Sequence, residues 1–405
     1  MRYLFVHQNF PGQFLHLVRH LVRDRDNQIL FITEANTNSI AGVRTFNYVA
    51  PADNLATFDD AQEFEKATLR ARIVADLGRR LNHLGFVPDI IIGHHGWGEL
   101  LNLNDVWPGV PILGYFEFFY HAEGLDVGFD PEFANPPGGL PKVRAKNAVN
   151  LLALNNPGHG QTPTRFQHET YPTWAQERIT VLPEGVDLEV CRPNPAVRRR
   201  VLDVKGFTIA PTDTLVTFVS RDLEPYRGFH IMMRSLPRLH RLRGDLKVVM
   251  VGGDGVSYGA RLAGTTWRAH MMQEVGPLID ASRVTFPGRV DYALFVQLLQ
   301  RSDAHVYLTY PFVLSWSLRE ALACGCAIVA SDTAPVREFV EHGKTGLLGP
   351  FTDTQGLVDR VGEILNDDAL ASHLRGHARA FAERTLRMDV YLAAYQGLIK
   401  RVVCG

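Results

Sequence analysis

The chain has 405 residues, 42 basic and 43 acidic groups, and 46% hydrophobic residues, enough apolar material for more than one core. Single cores stop growing beyond about 250–300 residues, so this length predicts two domains of about 200 residues each. A formal charge of −1 leaves no basic excess to neutralise a phosphate polymer, which argues against nucleic acid as a partner.

Of the 42 basic residues only seven are lysine, a bias that reads as codon supply rather than function. The four cysteines, Cys191, Cys324, Cys326 and Cys404, form no paired framework, and Cys324 and Cys326 sit in an apolar run as buried free thiols do. That predicts a reducing compartment. The opening MRYLFVHQNF is too short in apolar residues for a secretory signal, and no stretch approaches ~18 apolar residues. The expectation is a cytoplasmic chain with no transmembrane segment.

Short apolar runs alternate with helical-period segments along the whole length, the pattern of parallel sheets covered by helices on both faces. The first run, residues 4–6, leads into a loop with Pro11 and Gly12, after which Phe14, Leu17, Val18 and Leu21 recur at helical spacing. Further runs follow at residues 29–32, 89–92 and 110–116, with a long helical stretch from about Ala61 to Leu84. Residues 120–142, rich in Pro, Gly and Phe, have no clear period and read equally as a lid or a surface excursion.

A second series begins after LPEGVDLEVCRPNP (182–195), with runs at 215–219, 246–251, 284–286, 304–308 and 327–330, each followed by a helical segment. The expected division is a first domain over 1–183, a linker over 184–212 and a second domain over 213–387. A last helix over 388–405 has no sheet of its own to complete and is expected to fold back onto the first domain. Doubly wound sheets bind ligands beyond their carboxyl ends, so the expected site is a cleft between the two domains.

The stretch 304–331 combines a strand, a short loop, a helix of about nine residues ending at Gly325, and another strand. Its helix start near Ser315 to Ser317 offers backbone N–H groups to a phosphate. Glu320 has two readings there: partner of Ser317 in an S-x-x-E capping box, or acceptor of hydrogen bonds from a ribose diol, with the pattern alone favouring the first. In FVSRDLEPYRGFH, Arg221 follows a strand and Arg227 precedes a helix. Two guanidiniums at one turn suit an anion, and the alternative is a solvated loop with Arg221 paired to Asp222 or Glu224.

Other signals are weaker. VGGDGVSYG (252–259) lacks the full dinucleotide spacing, which disfavours hydride transfer. His16 and His20 lack the glutamate of a zinc motif, and the D-x-D at Asp24 and Asp26 lies where a turn explains it. No metal site is expected. His94 and His95 follow a strand and are candidates for the site. A basic helix with Lys66, Arg70, Arg72, Arg79 and Arg80 could touch an anionic membrane, though a solvated face explains it more cheaply.

In combination and order, SRDLEPYRGF, VMVGGDG, VTFPGRV, SLREALACGCAIVASDTAPVREFVEHGKTGLL and the preceding EGVDLEVCRP resemble the retaining, metal-independent glycosyltransferases of family four, group 1. The resemblance implies the GT-B fold, an α/β architecture of two doubly wound Rossmann-like domains facing across a cleft. It also implies a nucleoside diphosphate sugar as donor, UDP or GDP, with no cofactor.

By that resemblance Arg221 and Arg227 hold the donor diphosphate and stabilise charge on the leaving group. Glu320 is the second glutamate of the E-x7-E motif and binds the ribose. Ser315 and Trp316 present backbone amides to phosphate, and Val290 lies where main chain meets the base. Gly12, with Gln13 beside it, matches the glycine loop that approaches sugar and phosphate from the first domain. Two positions depart from the family: Phe312 stands at the first motif glutamate, and Glu117 at the histidine of the first domain, the only carboxylate expected near the anomeric carbon.

The implied activity is transfer of the sugar, with retention, to a hydroxyl or other nucleophile on a glycan, lipid or small-molecule natural product. Alternatives are a nucleotide-sugar epimerase of similar shape and a non-catalytic nucleotide-sugar-binding protein.

Overall fold

A computed structural model describes residues 1–51, 58–133 and 138–404. The chain divides into two compact units, one of residues 1–184 with 389–404 and one of Gly185–Met388. No helix among the described residues is long and apolar enough to cross a membrane.

The first unit is built on seven strands: β1 (Arg2–Val6), β2 (Gln28–Glu34), β3 (Val43–Tyr48), β4 (Ile90–His94), β5 (Ile112–Tyr115), β6 (His159–Thr162) and β7 (Ile179–Val181). Their order is β3-β2-β1-β4-β5-β6-β7, with every pair parallel. Parallel neighbours need helical crossovers, and helices on both faces bury the sheet. That is why β1 and β4, LFV and III at their centres, are apolar on both sides and fully enclosed. The order in which strands are added to the sheet reverses between β1 and β4, so the loops leaving their carboxyl ends run to opposite sides there.

The 22-residue helix Gln62–His83 covers one face with Ala67, Ala71, Val74, Ala75 and Leu81. Its basic residues do not form one free stripe: Arg70 pairs with Glu34 at 3.3 Å and Arg79 with Asp76 at 2.5 Å. The D-x-D is a turn, in which Asp24 Oδ1 accepts the Asp26 N–H at 3.0 Å. Part of the Pro/Gly-rich segment, residues 134–137, lies outside the described residues. The part before it contains a single 3-10 turn, Pro131–Phe133.

The second unit opens with a small antiparallel hairpin, β8 (Leu202–Val204) and β9 (Phe207–Ile209). Its main sheet follows: β10 (Thr214–Asp222), β11 (Leu246–Gly253), β12 (Val284–Gly288), β13 (Ala304–Tyr307), β14 (Ile328–Ser331) and β15 (Leu347–Gly349). The order is β12-β11-β10-β13-β14-β15, again all parallel. Here the reversal falls between β10 and β13. Leu318, Ala321, Leu322 and Ala323 of the helix Trp316–Ala323 bury one face against Val336, Ala378 and Ala382.

Candidate active site

Beyond the carboxyl ends of β10 and β13 the second unit gathers its charged residues. Arg221, next to last in β10, is exposed, and among the described residues it has no ion-pair partner. The expected alternative pairing fails because both carboxylates are engaged elsewhere. Asp222 takes Arg289 Nη2 at 3.2 Å and the Ser257 hydroxyl at 2.5 Å. Glu224, fully buried, accepts the backbone N–H groups of Ser257, Tyr258 and Gly259 at 3.1, 3.3 and 2.9 Å. The glycine-rich stretch therefore wraps an internal carboxylate. Burial pushes the Glu224 pKa up, and the three N–H donors with Arg227 pull against it.

Arg227 closes the 3-10 turn Pro225–Arg227 and is only 4% exposed. Its Nη1 donates to Thr309 Oγ1 at 2.8 Å and to the Val313 carbonyl at 2.9 Å, while the guanidinium lies 4.9 Å from the Tyr258 ring centroid. Thr309 follows β13, so this contact bridges the point where the sheet reverses. Gly228 makes the turn possible: its φ is +67°, and a Cβ there would fall 2.4 Å from Leu308 Cβ.

The helix Trp316–Ala323 is capped by Ser315, whose hydroxyl accepts the Ser317 N–H at 3.3 Å. The Ser317–Glu320 capping box therefore does not form. Ser317 is already the second helical residue, and a capping glutamate must sit at the third. Glu320 is held instead by Tyr292, whose hydroxyl donates to Oε1 at 2.8 Å and also lies 3.3 Å from Cys191 Sγ. Burial raises the Glu320 pKa, with Tyr292 and Arg319 opposing it. The Ser315 N–H donates to Tyr307 Oη at 2.9 Å, and Trp316 follows it half-buried at the first helical position.

Val290 packs its side chain into the core beneath the loop after β12. Phe312 is 2% exposed, its ring 5.6 Å from Tyr226 and 5.1 Å from Tyr258. At the position of the family's first motif glutamate the chain thus places an enclosed aromatic contact.

In the first unit the corresponding point lies between β1 and β4. His7 follows β1, His94 ends β4, and their rings meet edge to face at 5.5 Å. Gly12 has φ +54°, and a Cβ there would fall 2.6 Å from His7 Cε1, so only glycine lets this loop close over the imidazole. Gln13 follows, half-buried, in the 3-10 turn Gly12–Phe14. Glu117, two residues past β5, is partly exposed, with Oε2 3.6 Å from His94 Nε2.

The two histidines named from sequence separate here. His94 belongs to the cluster, stacked between Trp97 at 4.0 Å and Tyr115 at 5.2 Å. His95 points into the core, where burial and then the neighbouring His94 lower its pKa to about 3. Sequence reasoning missed His7, Trp97, Tyr258, Tyr292 and Thr309. The one available signal was GHHGWG, a tryptophan between glycines directly after a buried strand.

Two parallel-sheet, Rossmann-like units with functional groups beyond the reversal points are the GT-B glycosyltransferase fold. Over full length the fold is similar to that of sucrose-phosphate synthase from Thermosynechococcus elongatus, at 16% identity and TM-score 0.76, covering 100% of this chain and 99% of that one. It is also similar to Anabaena HepE in complex with UDP-glucose, at 18% identity and TM-score 0.72, covering 99% and 100%.

Residues 25–191 match the glycosyl transferase family 4 group, and residues 203–381 match the glycosyl transferases group 1. The chain belongs to the family 4, group 1 glycosyltransferases. A phosphatidyl-myo-inositol mannosyltransferase of Mycolicibacterium smegmatis is 30% identical over 200 residues, 46% of each chain. The chain spans about half the length of the curated relatives it matches first.

Proposed function

We propose that the protein is a retaining glycosyltransferase that moves a sugar from a nucleoside diphosphate sugar to an acceptor hydroxyl without a metal ion. The observation that carries this is the pair Arg221 and Arg227 at the reversal point of the second sheet, neither within ion-pair distance of a carboxylate among the described residues. Arg227, fixed by Thr309 and Val313, and Arg221, unpaired among the described residues, suit a diphosphate, and they act most strongly when the sugar–oxygen bond breaks and charge grows on the leaving phosphate. The UDP-glucose bound by the similar Anabaena fold supports a uridine donor.

In this reading Glu320, oriented by Tyr292, takes the ribose hydroxyls, and the main chain near Trp316 and Val290 takes phosphate and base, the Ser315 N–H being already given to Tyr307. The bond from C1 to the diphosphate oxygen breaks as the acceptor oxygen bonds to C1 from the same face. The acceptor proton passes to the departing phosphate oxygen, held by Arg221 and Arg227. Glu117 orients the acceptor.

A thermal-shift and calorimetric screen of UDP-, GDP- and dTDP-sugars tests the reading. A UDP-sugar should bind and Arg221→Ala/Arg227→Ala should abolish it. Equal binding by that double variant would overturn the diphosphate site. Donor incubated alone should give no isomerised sugar, and isomerisation would identify an epimerase.

A further inference from the structure

We propose that His94 is a positioning residue for Glu117: its imidazole carries a proton on Nε2 that orients one carboxylate oxygen and leaves the other for the acceptor hydroxyl. This rests on the reading of Glu117 as the acceptor-orienting carboxylate.

The backbone decides the tautomer. His94 Nδ1 accepts the Gly96 N–H at 2.9 Å, so that nitrogen has a lone pair and the ring proton belongs on Nε2. Nε2 lies 3.6 Å from Glu117 Oε2. The ring cannot easily turn away. Trp97 stacks on it at 4.0 Å with 20° between planes, Tyr115 stacks at 5.2 Å with 27°, and His7 meets it edge-on at 5.5 Å. His94 itself is 1% exposed, buried at the end of β4.

Glu117 is held from its other side as well. Its carbonyl accepts Gln167 Nε2 at 2.6 Å. Gln167 is locked in turn: its N–H donates to Thr164 Oγ1 at 3.0 Å, and its Oε1 accepts from the Thr164 hydroxyl at 2.9 Å. The main chain of Glu117 is therefore pinned, and His94 Nε2, buried without a hydrogen-bond partner among the described residues, stands just beyond bonding distance of its carboxylate. The side chain keeps 22% exposure, and among the described residues Oε1 has no hydrogen-bond partner. A small side-chain movement would bring Oε2 onto the unsatisfied Nε2 and leave Oε1 for a single hydroxyl donor. Orientation of that kind is worth up to about a hundredfold in rate.

The test uses His94→Phe, which keeps the stacked ring but removes both nitrogens, and His94→Gln, which keeps an N–H donor. The Gly96 N–H left behind in His94→Phe is exposed and can bond water. Release of UDP from UDP-glucose, with water as the hydroxyl acceptor, supplies a rate. We expect His94→Phe to lose about tenfold to a hundredfold in kcat with little change in KM, and His94→Gln to recover most of it. A wild-type kcat in His94→Phe overturns the proposal.

Ring 15N NMR supplies a readout independent of turnover. His94 should show an unprotonated Nδ1 and a protonated Nε2, and Glu117→Gln should shift the Nε2–H resonance. The opposite tautomer, or an Nε2–H resonance indifferent to Glu117→Gln, overturns the proposal too. Absence of UDP-glucose binding by the wild type would remove the assigned function while leaving the NMR result to decide the His94–Glu117 relationship.

Discussion

Arg227 Nη1 donates to Thr309 Oγ1 at 2.8 Å, joining the turn after β10 to the residues after β13 at the point where the second sheet reverses. The arginine is fixed by neutral partners, a hydroxyl, a carbonyl and an aromatic face. The buried Glu224 acts on it only through space, and a cation fixed in place is what electrostatic catalysis requires, because nothing reorganises when the leaving group departs.

Arg227→Met should therefore lower kcat with UDP-glucose by about a hundredfold to a thousandfold, more than it weakens donor binding. Thr309→Val should cost less, about tenfold, since one of two Nη1 partners remains. Steady-state kinetics of both variants check the order. A smaller loss for Arg227→Met than for Thr309→Val would contradict the leaving-group role.

Tyr292→Phe removes the hydroxyl that donates to Glu320 Oε1 at 2.8 Å. Loss of one hydrogen bond to a charged group costs about 1.5–3 kcal/mol, so UDP affinity by calorimetry should fall about tenfold or more. Glu320→Ala should fall at least as far. An Ala variant with normal UDP affinity and a lowered Tm would return Glu320 to a purely structural role.

His95 predicts a pH dependence of folding. Burial lowers its pKa from 6.5 to about 3, so between those values the unfolded chain binds a proton that the folded chain does not. Its contribution is complete above pH 6.5 and declines by about 1.4 kcal/mol per unit as pH falls toward 3. Urea unfolding at pH 5 and pH 7 should show that loss, and His95→Gln should reduce the slope by about one proton. His305, lowered to about 4 by burial, supplies a remainder in the same direction.

Gly12→Ala should be poorly tolerated. The φ of +54° and the 2.6 Å approach to His7 act together, so backbone strain of about 1–3 kcal/mol adds to displacement of the imidazole. Urea unfolding measures the strain, and loss of the His7 ring contact should appear as altered histidine NMR signals. Gly109, also at positive φ but with open space around its Cβ position, is the control that isolates strain from contact.

Much of the fold was legible because parallel strands buried on both faces must be apolar, as the runs in β1, β4, β10 and β11 are. Two of the strands that escaped, β3 and β6, lack such a run. β3 lies at an edge and alternates Val, Arg, Thr, Phe, Asn, Tyr. β6 reads His, Gly, Gln, Thr, yet three of the four are buried because neighbours on both sides enclose them. Glu320 was recognisable as a candidate, but its two readings differ by where the helix starts, and the Ser315 cap resolved that.

By itself the sequence determined two α/β domains, the arginine-bearing turn after β10, Glu320 on its short helix and the family to which these belong. The turn and the short helix are local, each written in one short stretch of chain, and the two domains are read from repeated local periodicity. The tertiary structure decided the rest. His7, His94 and Glu117 span more than a hundred residues of sequence, and they converge only because β1, β4 and β5 are adjacent in a sheet whose order departs from chain order. In the same way Thr309 reaches Arg227 across the paired ends of β10 and β13, and Tyr292 reaches Glu320 from a helix start 28 residues earlier in the chain. Periodicity fixes which residues are buried, whereas strand order fixes which of them meet.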